Sequence, residues 1–152
     1  MPYPLKSGVE RSEGLQSSLR SNAFSVLVVD DLEVNRLLLA RLLQSVGYIA
    51  ETVPDGESAL ARLERLPLPD LIVLDLEMPG LSGLETLRHL RQGRLPAAAD
   101  LPVFIATGNV EESMPEAALA AGADGFFRKP DDLMDMVKAI GQLLSEPRSR
   151  RP

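Results

Sequence analysis

The stretch Leu71-Ile-Val-Leu-Asp75 constrains the fold of this 152-residue chain more than any other. Four consecutive apolar residues run directly into a carboxylate, with Pro69 and Asp70 before them and Pro79 and Gly80 after them. A short apolar run between turn residues is typical of a strand buried on both faces, as in a parallel sheet. The run therefore predicts a central strand with Asp75 at its carboxyl end, the edge where open α/β sheets bind ligands. A carboxylate there either caps the next loop or does chemistry, and the run alone leaves both open.

A second apolar run, Phe24-Ser-Val-Leu-Val-Val29, ends in the acid pair Asp30-Asp31. Because parallel strands bring their carboxyl ends to one edge, these acids and Asp75 are expected in one crevice. Two unit charges about 4 Å apart repel by roughly 4 kcal/mol at an effective dielectric of about 20, so three carboxylates need compensation. Either one takes up a proton or a cation binds, and a few hard oxygen ligands favour Mg²⁺. The alternative for the acid pair is a helix N-cap, which accounts for only one of the two residues.

Two further apolar runs also end in a polar group. Val103-Phe-Ile-Ala-Thr107 ends in a hydroxyl, and Phe126-Phe-Arg-Lys129 ends in an ammonium that is followed by Pro130. An acid pair, an acid, a hydroxyl and a lysine at successive strand ends form a set of groups suited to handling a phosphoryl group.

This set of residues resembles the response-regulator receiver domain of two-component signalling, and the resemblance covers about Phe24 to Leu144. The matching positions are Asp30-Asp31, Asp75 with Met78-Pro79-Gly80 downstream, Thr107-Gly108 and Lys129-Pro130. The resemblance implies a flavodoxin-like, doubly wound (βα)5 fold of the α/β class. Its five-stranded parallel sheet would have the strand order 2-1-3-4-5.

The resemblance also implies the chemistry. Asp75 would take a phosphoryl group from a phosphohistidine on a partner, either a histidine kinase or a histidine phosphotransfer protein. Mg²⁺ is the implied cofactor, with Asp31, Asp75 and the backbone carbonyl of Glu77 as ligands and Asp30 holding its water shell. Lys129 would pair with the acids and then with the phosphoryl oxygens; the alternative is an exposed lysine at the end of a strand.

Thr107 and Phe126 match the switch positions of the family. Thr107 would move to hydrogen-bond the phosphoryl group while Phe126 rotates inward; the alternative for Phe126 is an ordinary aromatic on an edge strand. The switch would bias the face built from the fourth helix, the fifth strand and the fifth helix, where an unknown downstream protein would bind.

Periodic apolar residues between the strands predict five helices, and hence a sheet covered on both faces. The first helix is expected from Glu33 to Val46, with apolar residues over most of its surface. Capping boxes at Ser82–Glu85 and Ser113–Glu116 predict the starts of the third and fourth helices. Asp131 or Asp132 is expected to cap the last helix. The apolar set on the first helix is Val34, Leu38, Leu39, Leu42 and Leu43.

The chain is predicted to hold one receiver domain, residues 23–145, between a flexible N-terminal tail (1–22) and a C-terminal tail (146–152). A formal net charge of −6 argues against direct binding of nucleic acid, and the lack of cysteine excludes a thiolate metal site. No apolar stretch approaches the roughly 20 residues of a membrane span, and no signal peptide is recognisable. These features predict a cytoplasmic protein without a membrane partner.

Three other interpretations compete with a stand-alone receiver. A metal-dependent phosphatase of the dehalogenase type carries Asp-x-Asp after its first strand, whereas adjacent aspartates follow it here. A degenerate receiver acting as a binding module would lack an acid or the lysine. A receiver excised from a hybrid histidine kinase agrees with Val34-Asn35-Arg36 after the acid pair.

The phosphoryl donor is expected to be a separate protein. His89 is the single histidine and is predicted to lie at the surface, and no Gly-rich nucleotide-binding loop is present. No dedicated catalytic turnover is therefore expected beyond self-phosphorylation from a donor and slow self-dephosphorylation.

Overall fold

The computed structural model describes residues 23–93, 95–108 and 114–146, and over these ranges strands and helices alternate. The strands are β1 (Ser25–Val29), β2 (Ile49–Val53), β3 (Leu71–Leu74), β4 (Val103–Thr107) and β5 (Gly125–Arg128). The helices are α1 (Glu33–Ser45), α2 (Gly56–Arg62), α3 (Gly83–Arg91), α4 (Met114–Ala120) and α5 (Leu133–Ser145), with a 3₁₀ turn at Pro96–Ala98. Residues 1–22 and 147–152 lie outside the described ranges, so the predicted division into tails and domain remains a prediction.

All five strands are parallel and lie in the order β2-β1-β3-β4-β5, which confirms the flavodoxin-like α/β fold. The pairing register positions the functional edge. Val29 of β1 lies opposite Leu74 of β3, and Thr107 of β4 lies opposite Arg128 of β5. The residues that follow Val29 and Leu74 therefore emerge side by side at the same edge of the sheet.

The strand side chains alternate between two cores, one on each face of the sheet. Leu27, Leu74 and Ile105 point to the face covered by α2, α3 and α4. Val28 and Val73 point to the face covered by α1 and α5. Burying each large aliphatic side chain fully contributes about 1.5–3 kcal/mol, so both faces hold the strand ends rigidly in place.

The apolar residues predicted to cover most of the surface of α1 divide between the core and the solvent. Leu39 and Leu43 are fully buried, whereas Val34 is 70% exposed and Leu38 is 55% exposed. Residues on a helix advance by 100° each, so only one sector of α1 can face the sheet. The half-buried Arg36 turns back toward β1 and donates from Nη1 to the Asp30 carbonyl (2.7 Å).

The helix starts agree with the sequence at α3 and differ at α5. The Ser82 hydroxyl accepts from the Glu85 N–H (3.1 Å) and Glu85 Oε1 accepts from the Ser82 N–H (2.9 Å), which confirms that capping box. Asp132 occupies the N-cap position of α5 without capping it, because its carboxylate accepts from the Arg128 N–H instead (3.0 Å). Ser113, half of the other predicted capping box, lies outside the described residues.

Within the described ranges, no helix has the length and apolar character needed to span a bilayer.

Candidate functional site

Three carboxylates meet at the carboxyl edge of β1 and β3. Asp30 and Asp31 follow β1 and Asp75 follows β3, and one oxygen of each lies within 4.8 Å of the others. Asp30 is 1% exposed and Asp75 is 7% exposed, while Asp31 is half-buried. The Asp75 N–H donates to the Val29 carbonyl (3.0 Å), which extends the β1–β3 ladder by one residue and fixes Asp75 beside the acid pair.

Lys129 brings one positive charge to this cluster from the end of β5. Its Nζ lies 2.5 Å from Asp30 Oδ2 and 3.6 Å from Asp75 Oδ2. The Lys129 N–H donates to the Thr107 carbonyl (2.9 Å), which sets the distance between the ends of β4 and β5. One ammonium among three carboxylates leaves an excess of negative charge at the edge of the sheet.

Burial raises the pKa of the Asp75 carboxyl above its usual range, and the nearby charge of Asp30 raises it further. The Lys129 ammonium and hydrogen bonds from the Glu77 N–H and the Thr107 side chain oppose that rise in the pKa. Thr107 is 1% exposed, so its hydroxyl is enclosed beside the carboxylate. Asp75 is thus an ionisable group held in an environment that disfavours its charge, which is typical of functional sites.

The backbone around Asp30 is held by the first turn of α1. Asp30 Oδ1 accepts from the Leu32 N–H (3.0 Å), and the Asn35 amide lies 3.5 Å away. The N-cap residue of α1 is Leu32, and no side chain caps it. The helix-cap interpretation of the acid pair is therefore wrong, and both aspartates face the cluster.

The loop after Asp75 is tightly fitted to the start of α3. The Gly83 N–H donates to the Leu76 carbonyl (2.9 Å), and a Cβ at Gly83 would lie 2.1 Å from the Asp75 carbonyl oxygen. Only glycine allows α3 to begin this close to the backbone of Asp75. The exposed Glu77 lies within this loop, and its N–H points to Asp75 Oδ1 (3.4 Å).

The carboxylates open into a cleft of about 1010 Å³. Asn35 lines it beside the charged groups, and sequence reasoning missed this residue as a site candidate. The spacing could have identified Asn35, because the fifth residue after Asp30 lies on the first turn of α1, next to the acid pair. Much of the remaining wall is apolar and is formed by Leu32, Leu38, Leu39, Leu76, Met78, Pro79, Pro130 and Leu133.

The donor set fits a small, hard divalent cation. Carboxylate oxygens converge within 4.8 Å, their charge exceeds that of Lys129, and the cleft leaves room for water ligands. Oxygen-only ligands in small number are what Mg²⁺ prefers.

A family model described as the response regulator receiver domain matches residues 26–141, which include the whole cluster. The chain belongs to the response regulator receiver domain family. The dehalogenase-type phosphatase, left open above, is not favoured by this match.

Curated and structural relatives agree with the receiver assignment. The chain is 40% identical over 118 residues to the phosphate regulon transcriptional regulatory protein PhoB of Rhizobium meliloti, covering 76% of this chain. It spans about half (51%) of the length of that relative. The Mn²⁺-bound response regulator Rcp1 superposes with a TM-score of 0.68 at 26% identity, covering 81% of this chain and 95% of Rcp1. The phosphorylated cyanobacterial phytochrome response regulator RcpA gives a TM-score of 0.70 at 25% identity, covering 81% and 95%.

Phe126 of this receiver lies apart from the cleft. It sits opposite Ile105 in the sheet and is half-buried against the core beneath α2, α3 and α4, and it does not line the cleft. Its neighbour Phe127 faces the other core, with its ring 5.2 Å from that of Phe104. The structure therefore brings the other predicted site residues together at the sheet edge, whereas Phe126 packs against the core and does not line the cleft.

Proposed function

We propose that this receiver is a phosphoacceptor of a two-component phosphorelay, with Asp75 as the acceptor. One observation carries the proposal. The buried Asp75 carboxylate lies 3.6 Å from Lys129 Nζ, and one of its oxygens lies within 4.8 Å of oxygens of Asp30 and Asp31. The donor would be a phosphohistidine on a histidine kinase or a histidine phosphotransfer protein.

The chemistry is a transfer of one phosphoryl group between two nucleophiles. An Asp75 oxygen attacks phosphorus, the bond from phosphorus to the imidazole nitrogen breaks, and its electron pair stays on the imidazole. Lys129 holds one equatorial phosphoryl oxygen, and the Thr107 hydroxyl donates to another. The enclosed position of both groups strengthens these charge-assisted bonds relative to water.

Asp31, Asp75 and the Glu77 backbone carbonyl are the groups proposed to hold Mg²⁺, with Asp30 acting through water. Bound there, Mg²⁺ supplies positive charge that lets an anionic donor approach an anionic nucleophile. Among the structural relatives, Rcp1 carries a divalent cation, Mn²⁺, and RcpA is phosphorylated, and both observations support the same chemistry here.

The proposed output is the surface formed by α4, β5 and α5. Leu119 of α4 is 52% exposed and Met134 of α5 is 64% exposed, so the surface carries apolar contacts for a protein partner. Thr107 ends β4 immediately beside β5, and drawing it toward a phosphoryl group would bias the position of Phe126 and of this surface.

The test is labelling with acetyl phosphate, with Mg²⁺ or with excess chelator. We expect Mg²⁺-dependent incorporation of one phosphoryl group that hydroxylamine releases, because the product is an acyl phosphate. Asp75→Asn preserves the shape of the side chain and removes the nucleophile, so labelling should be lost.

Asp31→Ala serves as the second variant. It should raise the Mg²⁺ concentration needed for labelling without unfolding the chain, since Asp31 is only half-buried. Labelling of Asp75→Asn at the rate of the parent, or labelling that chelation leaves unchanged, would contradict the proposal.

A further inference from the structure

A second acidic side chain, Glu57 on α2, holds the loop that follows Asp75. Glu57 Oε2 accepts from the Leu81 N–H (3.2 Å), although 24 residues separate the two in sequence. The same carboxylate lies against Gly80, where an added Cβ would be 3.0 Å from Oε2 and 3.4 Å from Oε1. Gly80 has a φ of 75°, a backbone conformation that favours glycine. The carboxylate therefore packs on a sharply turned part of the loop.

The loop from Asp75 to α3 is anchored at both ends. At its start, the Leu76 carbonyl accepts from the Gly83 N–H (2.9 Å). At its end, Leu81 is held by Glu57, and α2 itself lies close by, since a Cβ on Gly56 would be 3.2 Å from the Leu81 carbonyl oxygen. The stretch between these anchors contains Glu77, whose backbone carbonyl is the proposed metal ligand. Because only three residues separate Glu77 from Leu81, the anchor at Leu81 restrains the backbone that carries this carbonyl.

We propose that Glu57 is a positioning residue for the metal and phosphoryl site. Through Leu81 it sets the backbone of the loop so that the Glu77 carbonyl faces the acid cluster. This inference rests on the proposed function, because it concerns the Mg²⁺ site proposed above. Its role is separable from stability: Glu57 is exposed and fills no core, so its removal leaves no cavity.

The electrostatic setting supports a hydrogen-bonding role for this carboxylate. Glu57 lies in the first turn of α2, where the helix dipole favours a negative charge. The ionised form of this side chain is therefore favoured by the helix as well as by the loop. A charged acceptor for a backbone N–H forms a stronger bond than a neutral one. The loop N–H of Leu81 is thereby held by an element that contributes no residue to the acid cluster.

The experiment compares Glu57→Ala, Glu57→Gln and the control Glu64→Ala by amide NMR during titration with MgCl₂ alone. Glu64 is exposed just beyond α2 and lines a separate small pocket with Leu60, His89 and Leu95. Losing one hydrogen bond corresponds to a factor of about two to ten, so Glu57→Ala should raise the Mg²⁺ dissociation constant by about that much. Glu57→Gln keeps an acceptor oxygen and should fall between Glu57→Ala and the parent. Glu64→Ala should match the parent.

Labelling by acetyl phosphate separates positioning from a purely structural role. In Glu57→Ala the Mg²⁺ concentration for half-maximal labelling should rise, while the rate at saturating Mg²⁺ stays close to that of the parent. A purely structural role would lower the melting temperature and leave the Mg²⁺ dissociation constant unchanged.

Two outcomes distinguish the possible failures. If the parent binds Mg²⁺ and labels at Asp75 while Glu57→Ala and Glu57→Gln keep its Mg²⁺ affinity, despite a shifted Leu81 amide, the positioning role is wrong. If the parent itself shows no Mg²⁺-dependent labelling, the proposed function is wrong, and the inference falls with it.

Discussion

At the scale of single residues, the charges of the site do not balance, because one ammonium, that of Lys129, lies among three carboxylates. Asp30, Asp75 and Lys129 were predicted to converge because each directly follows an apolar strand, and the structure places their charged atoms within reach of one another. The contact between Glu57 and Leu81 could not be predicted, because it depends on where α2 lies relative to a loop 24 residues away. Local sequence patterns indicate where strands and helices lie, whereas a contact between distant residues depends on how those strands and helices pack together.

Replacing Asp75 by Asn should stabilise the metal-free protein at pH 7. Burial and the charge of Asp30 raise the pKa of Asp75, so ionising this carboxyl costs folding free energy. This loss of folding free energy is absent below the usual aspartate pKa, where the carboxyl is protonated in both the folded and the unfolded chain. It grows as the pH rises from the usual pKa of the unfolded chain to the raised pKa of the folded protein. With chelator, urea unfolding at pH 7 should give Asp75→Asn a higher free energy of unfolding than the parent, because asparagine carries no charge that must be buried.

Two controls belong to this stability measurement. The difference between Asp75→Asn and the parent should shrink as the pH is lowered, because the parent carboxyl then takes up a proton. Added Mg²⁺ should stabilise the parent, by about 2.7 kcal/mol at a hundred times its dissociation constant. A parent that is more stable than Asp75→Asn in chelator at pH 7 would refute the burial argument.

At the scale of elements, the buried strands and the capping box of α3 were predictable, whereas the buried and exposed sides of the helices were not. The buried strands have unmistakable apolar runs, and Ser82 with Glu85 starts α3 as expected. The exposure of Val34 and Leu38 on α1 could not be predicted, because a sequence does not show which sector of an apolar helix faces the sheet. Asp132 likewise had a second possible partner, the Arg128 N–H, which the fold brings into reach.

Arg91, at the end of α3, joins this helix to the loops that precede β4 and β5 and should be costly to remove. Its guanidinium donates five hydrogen bonds, to the carbonyls of Ala99 and Leu101, twice to that of Gly122, and to Asp124. Arg91→Ala leaves these partly buried acceptors without this donor, so it should lower the free energy of unfolding by roughly 2–4 kcal/mol.

The matched control for Arg91 is Arg88→Ala, which removes an exposed arginine from the same helix. Urea unfolding should show a change within about 0.5 kcal/mol for Arg88→Ala, as is usual at exposed positions. Equal effects of the two substitutions would mean that the hydrogen bonds of Arg91 contribute little to stability.

At the scale of the whole molecule, the two-sided core makes the sheet edge a rigid platform and leaves movement to the helices that surround it. β1, β3 and β4 are buried on both faces, so the backbone that carries Asp30, Asp75 and Thr107 is held in place while the Thr107 side chain can still turn. α4 is different, because only Ala118 of its seven residues is buried. A small residue fills little volume, so α4 can shift at little cost in packing.

We therefore expect a phosphoryl mimic to change the α4, β5 and α5 surface as well as the cleft. Beryllofluoride with Mg²⁺ should bind at Asp75, draw in the Thr107 hydroxyl and shift the population of the surface toward a second state. A shift from 1:99 to 99:1 requires about 5.5 kcal/mol of differential binding, so a partial shift is the reasonable expectation. Amide NMR should show changes at Phe126 and Ala118 in the parent and none in Asp75→Asn. Changes confined to residues that line the cleft would mean that phosphorylation of this chain does not reach the surface through β5.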